Sequence, residues 1–209
     1  ARKGADLRYD MEITLEEAYE GIEKKIEIPI VDVCDKCHGT GAQKPEDVIT
    51  CGTCHGTGTV RITKRTPFGM FAQTASCPTC HGTGKQVKSH CSHCDGSGRV
   101  QRVKEIKVDV PAGIDSDSRL RLSGEGEIGE NGGPKGGLYV FISVKEHDLF
   151  KREADDIHIE IPISYVQAAL GDEVEVPTLD GKAKLKIPSG TQSETHFRMK
   201  GKGMPELRG

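Results

Sequence analysis

CDKCHGTG occupies residues 34–41, and the pattern returns as CGTCHGTG at 51–58, CPTCHGTG at 77–84 and CSHCDGSG at 91–98. All 8 cysteines of the 209-residue chain lie in these four copies of Cys-x-x-Cys-x-Gly-x-Gly. A Cys-x-x-Cys turn offers two sulfurs on one side of a tight loop. The glycines that follow can take positive φ, turn the chain back and expose N–H groups toward the sulfurs. Four thiolates at a Zn–S distance of about 2.3 Å make a closed tetrahedral site, so two knuckles close one site and four close two. Spacing alone allows three pairings of the knuckles. Joining the first with the fourth and the second with the third costs least in loop crossing.

Other uses of the cysteines fit less well. Secreted disulfide scaffolds rarely repeat Cys-x-x-Cys four times. Cys34-x-x-Cys37-His38, Cys51-x-x-Cys54-His55 and Cys77-x-x-Cys80-His81 match the signal for covalent haem, but the fourth copy has Asp95 in place of His. No aromatic residue lies between Val31 and Val60 to pack a porphyrin. The three histidines follow the second cysteine directly, where simultaneous ligation is strained, so they are read as non-ligands. Between Val31 and Val100, eight basic residues face five acidic ones, and eight thiolates with two Zn²⁺ bring the module to about −1. That is a poor phosphate binder, and it disfavours a nucleic-acid reader.

Composition points to thin β-rich modules rather than one large core. There are 26 Gly, 5 Phe, 4 Tyr and no Trp. No stretch approaches the ~20 apolar residues of a membrane span, and no signal peptide is visible. The chain runs from Ala1 to a bare Arg208-Gly209 and reads as a fragment.

A second repeat lies outside the cysteines. MEITLEEAYEG (11–21) has a Thr14-x-x-Glu17 capping box, and EIPISYVQAALG (160–171) has Ser164-x-x-Gln167. Each ends in a Gly seven residues after its cap, so each predicts a strand and then a helix of about six residues. An alternating strand follows each, KIEIP (25–29) and EVEVP (173–177). KVDVPAG (107–113) then parallels KLKIPSG (184–190), and Gly-x-Gly follows each Pro at Gly124 and at Gly201. In the second copy, Pro177 and Pro188 flank an Asp180-Gly181 hairpin signal. In the first, the cysteine module stands where that hairpin would be. The chain therefore reads as mostly β: two similar small β-sandwich domains, the first with an inserted two-zinc β-hairpin arm. The expected boundaries are 1–30 with 102–147 for the first domain, 31–101 for the zinc module and 148–209 for the second domain. The arm has almost no apolar residues, so metal must supply most of its folding energy. GEGEIGENGGPKGG (124–137) carries three Glu and no Gly-Lys-Ser/Thr, and reads as a mobile surface loop rather than a phosphate loop.

Taken together, these residues resemble the bacterial DnaJ co-chaperones, the forty-kilodalton heat-shock proteins of type A. Further stretches carry the likeness: GADLRYDMEITLEEAYEG, VDVPAGIDSDSRLRLSGEGE, GGLYVFISVKEHDLFKRE and VPTLDGKAKLKIPSGTQSETHFRMKGKGMP. The resemblance implies one zinc site of Cys34, Cys37, Cys91 and Cys94 and a second of Cys51, Cys54, Cys77 and Cys80. It implies a cytoplasmic, non-catalytic protein that binds unfolded polypeptide clients and passes them to the DnaK chaperone. The family's homodimer is expected of the full-length protein, and the present stretch is expected to be monomeric. No His-Pro-Asp tripeptide is present, so this stretch should hold substrate without stimulating DnaK. Direct nucleic-acid or membrane partners are not expected. A thiol–disulfide oxidoreductase acting through Cys-x-x-Cys is the alternative. His147, His158 and His196 are scattered, however, with no nucleophile–base pattern.

Pro29 marks the strand around Ile26 and Ile28 as an edge, able to take an extended peptide by strand addition. Pattern alone places both isoleucines in a core; the resemblance assigns them to a peptide groove, together with Leu7 and Phe150. As groove residues they would be exposed in the free protein, and replacing them would cost little stability. For Phe150, packing between domains is the competing role. Metal analysis of the purified chain is expected to return two Zn²⁺ per chain. His38→Ala, His55→Ala and His81→Ala are expected to leave that ratio unchanged, and a ratio near one would refute it.

Overall fold

The computed structural model describes residues 2–66, 69–129 and 132–207. In chain order its elements are β1 (Leu7–Ile13), α1 (Leu15–Glu20), β2 (Ile22–Val33), β3 (Val48–Thr50), β4 (Thr59–Thr66), β5 (Gly69–Ser76), β6 (Lys85–Val87) and β7 (Arg99–Val110). They continue with β8 (Arg119–Ser123), β9 (Gly137–Val144), β10 (Lys151–Glu153), β11 (Asp156–His158), α2 (Tyr165–Leu170), β12 (Asp172–Thr178) and β13 (Gly181–Ile187). The fold is mostly β. β9 lies between β1 and β8 in one sheet, and the other strands pair two by two: β2 with β7, β3 with β6, β4 with β5, β10 with β11 and β12 with β13.

Two compact units divide the chain. One holds residues 1–7, 27–105 and 123–138, and the other holds 8–26, 106–122 and 139–209. The first carries the cysteine arm on the distal parts of β2 and β7, and the second carries both helices.

The internal repeat is visible atom by atom in the second unit. Thr14 Oγ1 accepts the Glu17 N–H at 3.2 Å, while the Glu17 carboxylate accepts the Thr14 N–H at 3.0 Å. Ser164 and Gln167 repeat this at 3.3 and 2.9 Å. Each box satisfies two helix N–H groups that would otherwise lack partners. The helices stop at Gly21 (φ 77°) and Gly171 (φ 82°). A Cβ at Gly21 would stand 2.9 Å from Ala112 N, and one at Gly171 would stand 2.9 Å from Ile187 O. Glycine is therefore required twice over, by φ and by the strand packed behind each helix end.

Apolar alternation builds the core. Ile106, Val108 and Val110 are buried on one face of β7, as are Met11 and Ile13 on β1 and Val140 and Ile142 on β9. Burying a side chain of this kind is worth ~1.5–3 kcal/mol. At the neck of the arm, buried Asp32 on β2 receives Arg102 from β7, and Lys135 approaches at 3.3 Å. Burial pushes the Asp32 carboxyl up. Arg102, the Val33 N–H and Lys135 outweigh that and hold it at about 2.

Three expectations are corrected. Ile26 and Ile28 are each 5% exposed, against the exposure expected of them, because β2 turns Ile26, Ile28 and Ile30 inward and Glu27 and Pro29 outward. The Gly-rich stretch is not a free loop where it is described, although Glu130 and Asn131 lie outside the described residues. Glu127 donates to Ala5 O at 3.1 Å, Ile128 to Val31 O at 3.3 Å and Gly4 to Pro134 O at 2.9 Å. Its glycines admit that backbone, since a Cβ at Gly136 would meet Ala5 O at 2.0 Å. Finally, Ile159–Ser164 is not a strand, in contrast to β1 in the first copy, because no described strand plays the part of β9 beside it.

Burial of the isoleucines changes what substitution should do. Ile28→Ala is expected to lower stability by ~2–5 kcal/mol, as for a core methyl cluster. A denaturant midpoint like that of the unsubstituted chain would return Ile28 to the surface.

Candidate metal centre

Each knuckle is a backbone device before it is a ligand set. The residue after the second cysteine takes left-handed φ in all four copies: His38 (50°), His55 (49°), His81 (50°) and Asp95 (49°). His and Asp are among the few non-glycine residues that adopt this region readily. Their side chains are exposed, and neither metal-competent cluster includes them. Asp can therefore stand where three copies have His, because the position asks for a conformation and not for a ligand.

The last glycine of each knuckle then donates its N–H to the second cysteine's sulfur. These bonds are Gly41 to Cys37, Gly58 to Cys54 and Gly84 to Cys80 at 3.3 Å, and Gly98 to Cys94 at 3.2 Å. Between the two glycines stands Thr40, Thr57, Thr83 or Ser97, whose hydroxyl donates to the carbonyl of that same cysteine at 2.6–2.8 Å. Sequence reading missed this hydroxyl. Its signal was on view, since the position is Thr or Ser in every copy.

Knuckles join in the nested order. Cys34 N donates to Gly98 O at 3.0 Å and Cys91 N to Gly41 O at 2.8 Å; Cys51 N donates to Gly84 O and Cys77 N to Gly58 O, both at 2.9 Å. The glycines interlock as reciprocally. A Cβ at Gly58 would lie 2.4 Å from Gly82 O, and one at Gly84 would lie 2.4 Å from Gly56 O.

This brings Cys34, Cys37, Cys91 and Cys94 into one cluster and Cys51, Cys54, Cys77 and Cys80 into another. All are buried, and the sulfurs of each set lie within 4.8 Å of one another. Facing sulfurs stand 3.7 Å apart (Cys37–Cys94), 3.9 Å (Cys51–Cys77) and 3.6 Å (Cys54–Cys80). A ZnS₄ tetrahedron with 2.3 Å bonds has edges of about 3.8 Å, so the donor sets suit two Zn²⁺. None of the eight cysteines is in a disulfide.

Three thiols, those of Cys37, Cys51 and Cys77, are shifted toward ionisation, while burial pushes Cys54 up. Burial pushes Cys77 up, but the N–H groups of Cys80 and Thr79 and the neighbouring thiols outweigh it, bringing Cys77 to about 6. Cys37 falls to about 7 by the same contest, with Gly41 N–H as its main opponent to burial. Apart from the cysteines, the described hydrophobic residues packed on the clusters are Val100 at one and Val60 at the other.

The residues expected to contact peptide are dispersed. Leu7 is half-buried at the start of β1, Ile26 and Ile28 lie on β2, and Phe150, 9% exposed, precedes β10.

Fold and site together define a class: a duplicated, helix-poor β protein bearing two structural tetrathiolate zinc centres of closed type. Comparison with known proteins places it further. The family model "DnaJ C terminal domain" matches residues 7–209, and the chain belongs to that family. It is similar to Chaperone protein DnaJ of Parageobacillus thermoglucosidasius, 55% identical over 208 residues, covering 100% of this chain and 55% of that protein. Chaperone protein DnaJ of Bacillus cytotoxicus is 50% identical over 208 residues, covering 100% and 57%. The same-named protein of Bacillus cereus is 50% identical, covering 100% and 56%. The chain thus spans little more than half the length of these relatives.

Gly84→Ala is expected to empty the second zinc site and leave the first filled, halving the zinc content, because the new methyl meets the Gly56 carbonyl. His81→Asp, which keeps the left-handed residue, should retain both ions. Metal content measured alongside a free-thiol count checks both. Two retained ions in the Gly84 variant would sink the interlock.

Proposed function

We propose that this chain is the client-binding part of a co-chaperone, which holds non-native polypeptide in extended form and delivers it to the DnaK chaperone in the bacterial cytoplasm. The observation that carries the reading is the open edge of β2. That strand is paired with β7 on one side, and among the described residues no strand pairs with the other. Membership of the DnaJ C-terminal family makes an extended peptide the natural guest for such an edge. The guest adds by main-chain hydrogen bonds and sets alternate side chains against the rim of the core. In this reading Ile26 and Ile28 form the floor beneath the guest, and Leu7 and Phe150 supply further apolar contact. Val31 O, which accepts from Ile128, limits the available edge to the part before it.

The modules proposed for this work are 1–30 with 102–147, 31–101 and 148–209. The zinc arm braces the first of them and assists transfer. Homodimerisation belongs to the full-length protein. No helix among the described residues is long and apolar enough to cross a membrane. A redox role for the Cys-x-x-Cys pairs would require thiols free of metal, whereas all eight fall in the two clusters.

The test uses the zinc-loaded chain with a fluorescein-labelled apolar heptapeptide. Peptide addition is expected to slow amide exchange at Lys25–Ile28, and the chain is expected to suppress aggregation of a denatured client without raising DnaK's ATPase rate. Binding that leaves the β2 amides unchanged would overturn strand addition. Failure to suppress aggregation would overturn the holding role.

A further inference from the structure

The passage from the first repeat to the second runs through His147, and its imidazole is held from both sides. Nδ1 accepts the backbone N–H of Leu149 at 3.0 Å and that of Phe150 at 3.2 Å. Nε2 lies 2.9 Å from Glu16 Oε1 on α1. A ring nitrogen accepts only when it carries no hydrogen, so these contacts select the neutral tautomer with its hydrogen on Nε2, donated to Glu16. The Phe150 ring packs on the imidazole with centroids 4.9 Å apart. Two residues further on, Arg152 donates to the carbonyls of Ile114 and Gly113 at 2.6 and 3.0 Å. Phe150 therefore sits between two fixed points, and it lines a cleft of about 1170 Å³ with Ile157, Val176, Ile187 and Phe197.

We infer that His147 is a positioning residue for Phe150: its unprotonated Nδ1 closes the turn that holds the phenyl ring in place. As far as peptide capture is concerned, this rests on the reading of Phe150 as a peptide contact. Leu149 is apolar, and among the described residues no other side chain is recorded accepting from these two N–H groups. Protonation would set a third N–H against two N–H donors and open the turn. The recorded charged neighbour of the ring is the Glu16 carboxylate from α1, which accepts from Nε2. Acidification is therefore the direct probe of the acceptor, because an imidazole nitrogen that takes up a proton can no longer accept.

Two substitutions separate acceptor from bulk. His147→Ala removes both. His147→Asn keeps an oxygen able to accept from the N–H two residues on, and that oxygen does not titrate. Amide exchange at Leu149 and Phe150 is read without any ligand, and affinity for the labelled heptapeptide is read separately, at about pH 8 and about pH 6. His147→Ala is expected to speed exchange at both amides about tenfold and to weaken peptide binding about fivefold. His147→Asn should match the unsubstituted chain at the higher pH. Only the unsubstituted chain should loosen at the lower one. Slow exchange in His147→Ala, fast exchange in His147→Asn, or an equal acid response in His147→Asn and the unsubstituted chain would each overturn the inference. The expected exchange pattern with unchanged peptide affinity would uphold the positioning of Phe150 and remove Phe150 from the peptide site.

Discussion

The arm stands on one reciprocal contact, in which the last glycine of each knuckle presses on the backbone of its partner while a cysteine N–H donates back. With Gly41 against Gly96 and Gly98 against Gly39, the approach is backbone to backbone, and no side chain fits between. That closeness sets the separation of the sulfurs, which is why facing pairs stand at 3.6–3.9 Å. The apolar support around each cluster is a single valine among the described residues, Val100 or Val60. Metal–thiolate bonding must therefore replace a hydrophobic core, and folding of the arm is coupled to metal occupancy. Eight thiolates brought together without an ion would repel one another as they ionised. The N–H donors that lower Cys37 and Cys77 thus favour the metal-binding form at the expense of the metal-free one.

Much of this was legible in sequence because its cause is local. Cys-x-x-Cys-x-Gly-x-Gly states a turn, a left-handed residue and two glycines in eight positions, and nesting by chain order is enough to choose the partners. Capping boxes at Thr14 and Ser164 were legible for the same reason: three residues specify donor, acceptor and helix start. What failed was non-local. Strand alternation put Ile26 and Ile28 on a core face, in agreement with their burial, whereas the resemblance led to an expectation of exposure, and Pro29 identifies an open edge without saying which way the side chains beside it turn. Likewise, glycine richness at 124–137 suggested freedom. In the described part, glycine instead permits close packing against residues 2–5, a partner more than a hundred positions away. His147 left no sequence signal, since its partners are two backbone N–H groups and a carboxylate from α1.

The duplicated β unit explains how such an arm can be tolerated. In the second copy, β12 and β13 form a seven-residue ladder from Asp172–Ile187 to Thr178–Gly181, closed by the turn at Leu179-Asp180, with Gly181 at φ 129°. In the first copy, the equivalent strands β2 and β7 run to 12 residues each. The added length is a stalk, and the knuckles begin where it ends, with Cys34 N bonded to Gly98 O. Inserting at a hairpin leaves the inner ladder and its buried face untouched, because the two ends of the insert are already neighbours. The Asp32–Arg102–Lys135 cluster marks the change of regime along the stalk. On the helix side, stability comes from Ile, Val and Leu burial. On the far side, it comes from thiolate and backbone geometry. A buried carboxylate is costly unless paired, so the cluster holds β2 to β7 where neither core reaches. The peptide edge proposed on β2 runs directly into the stalk of the metal arm, so the proposed edge and the stalk that zinc rigidifies are consecutive stretches of one strand.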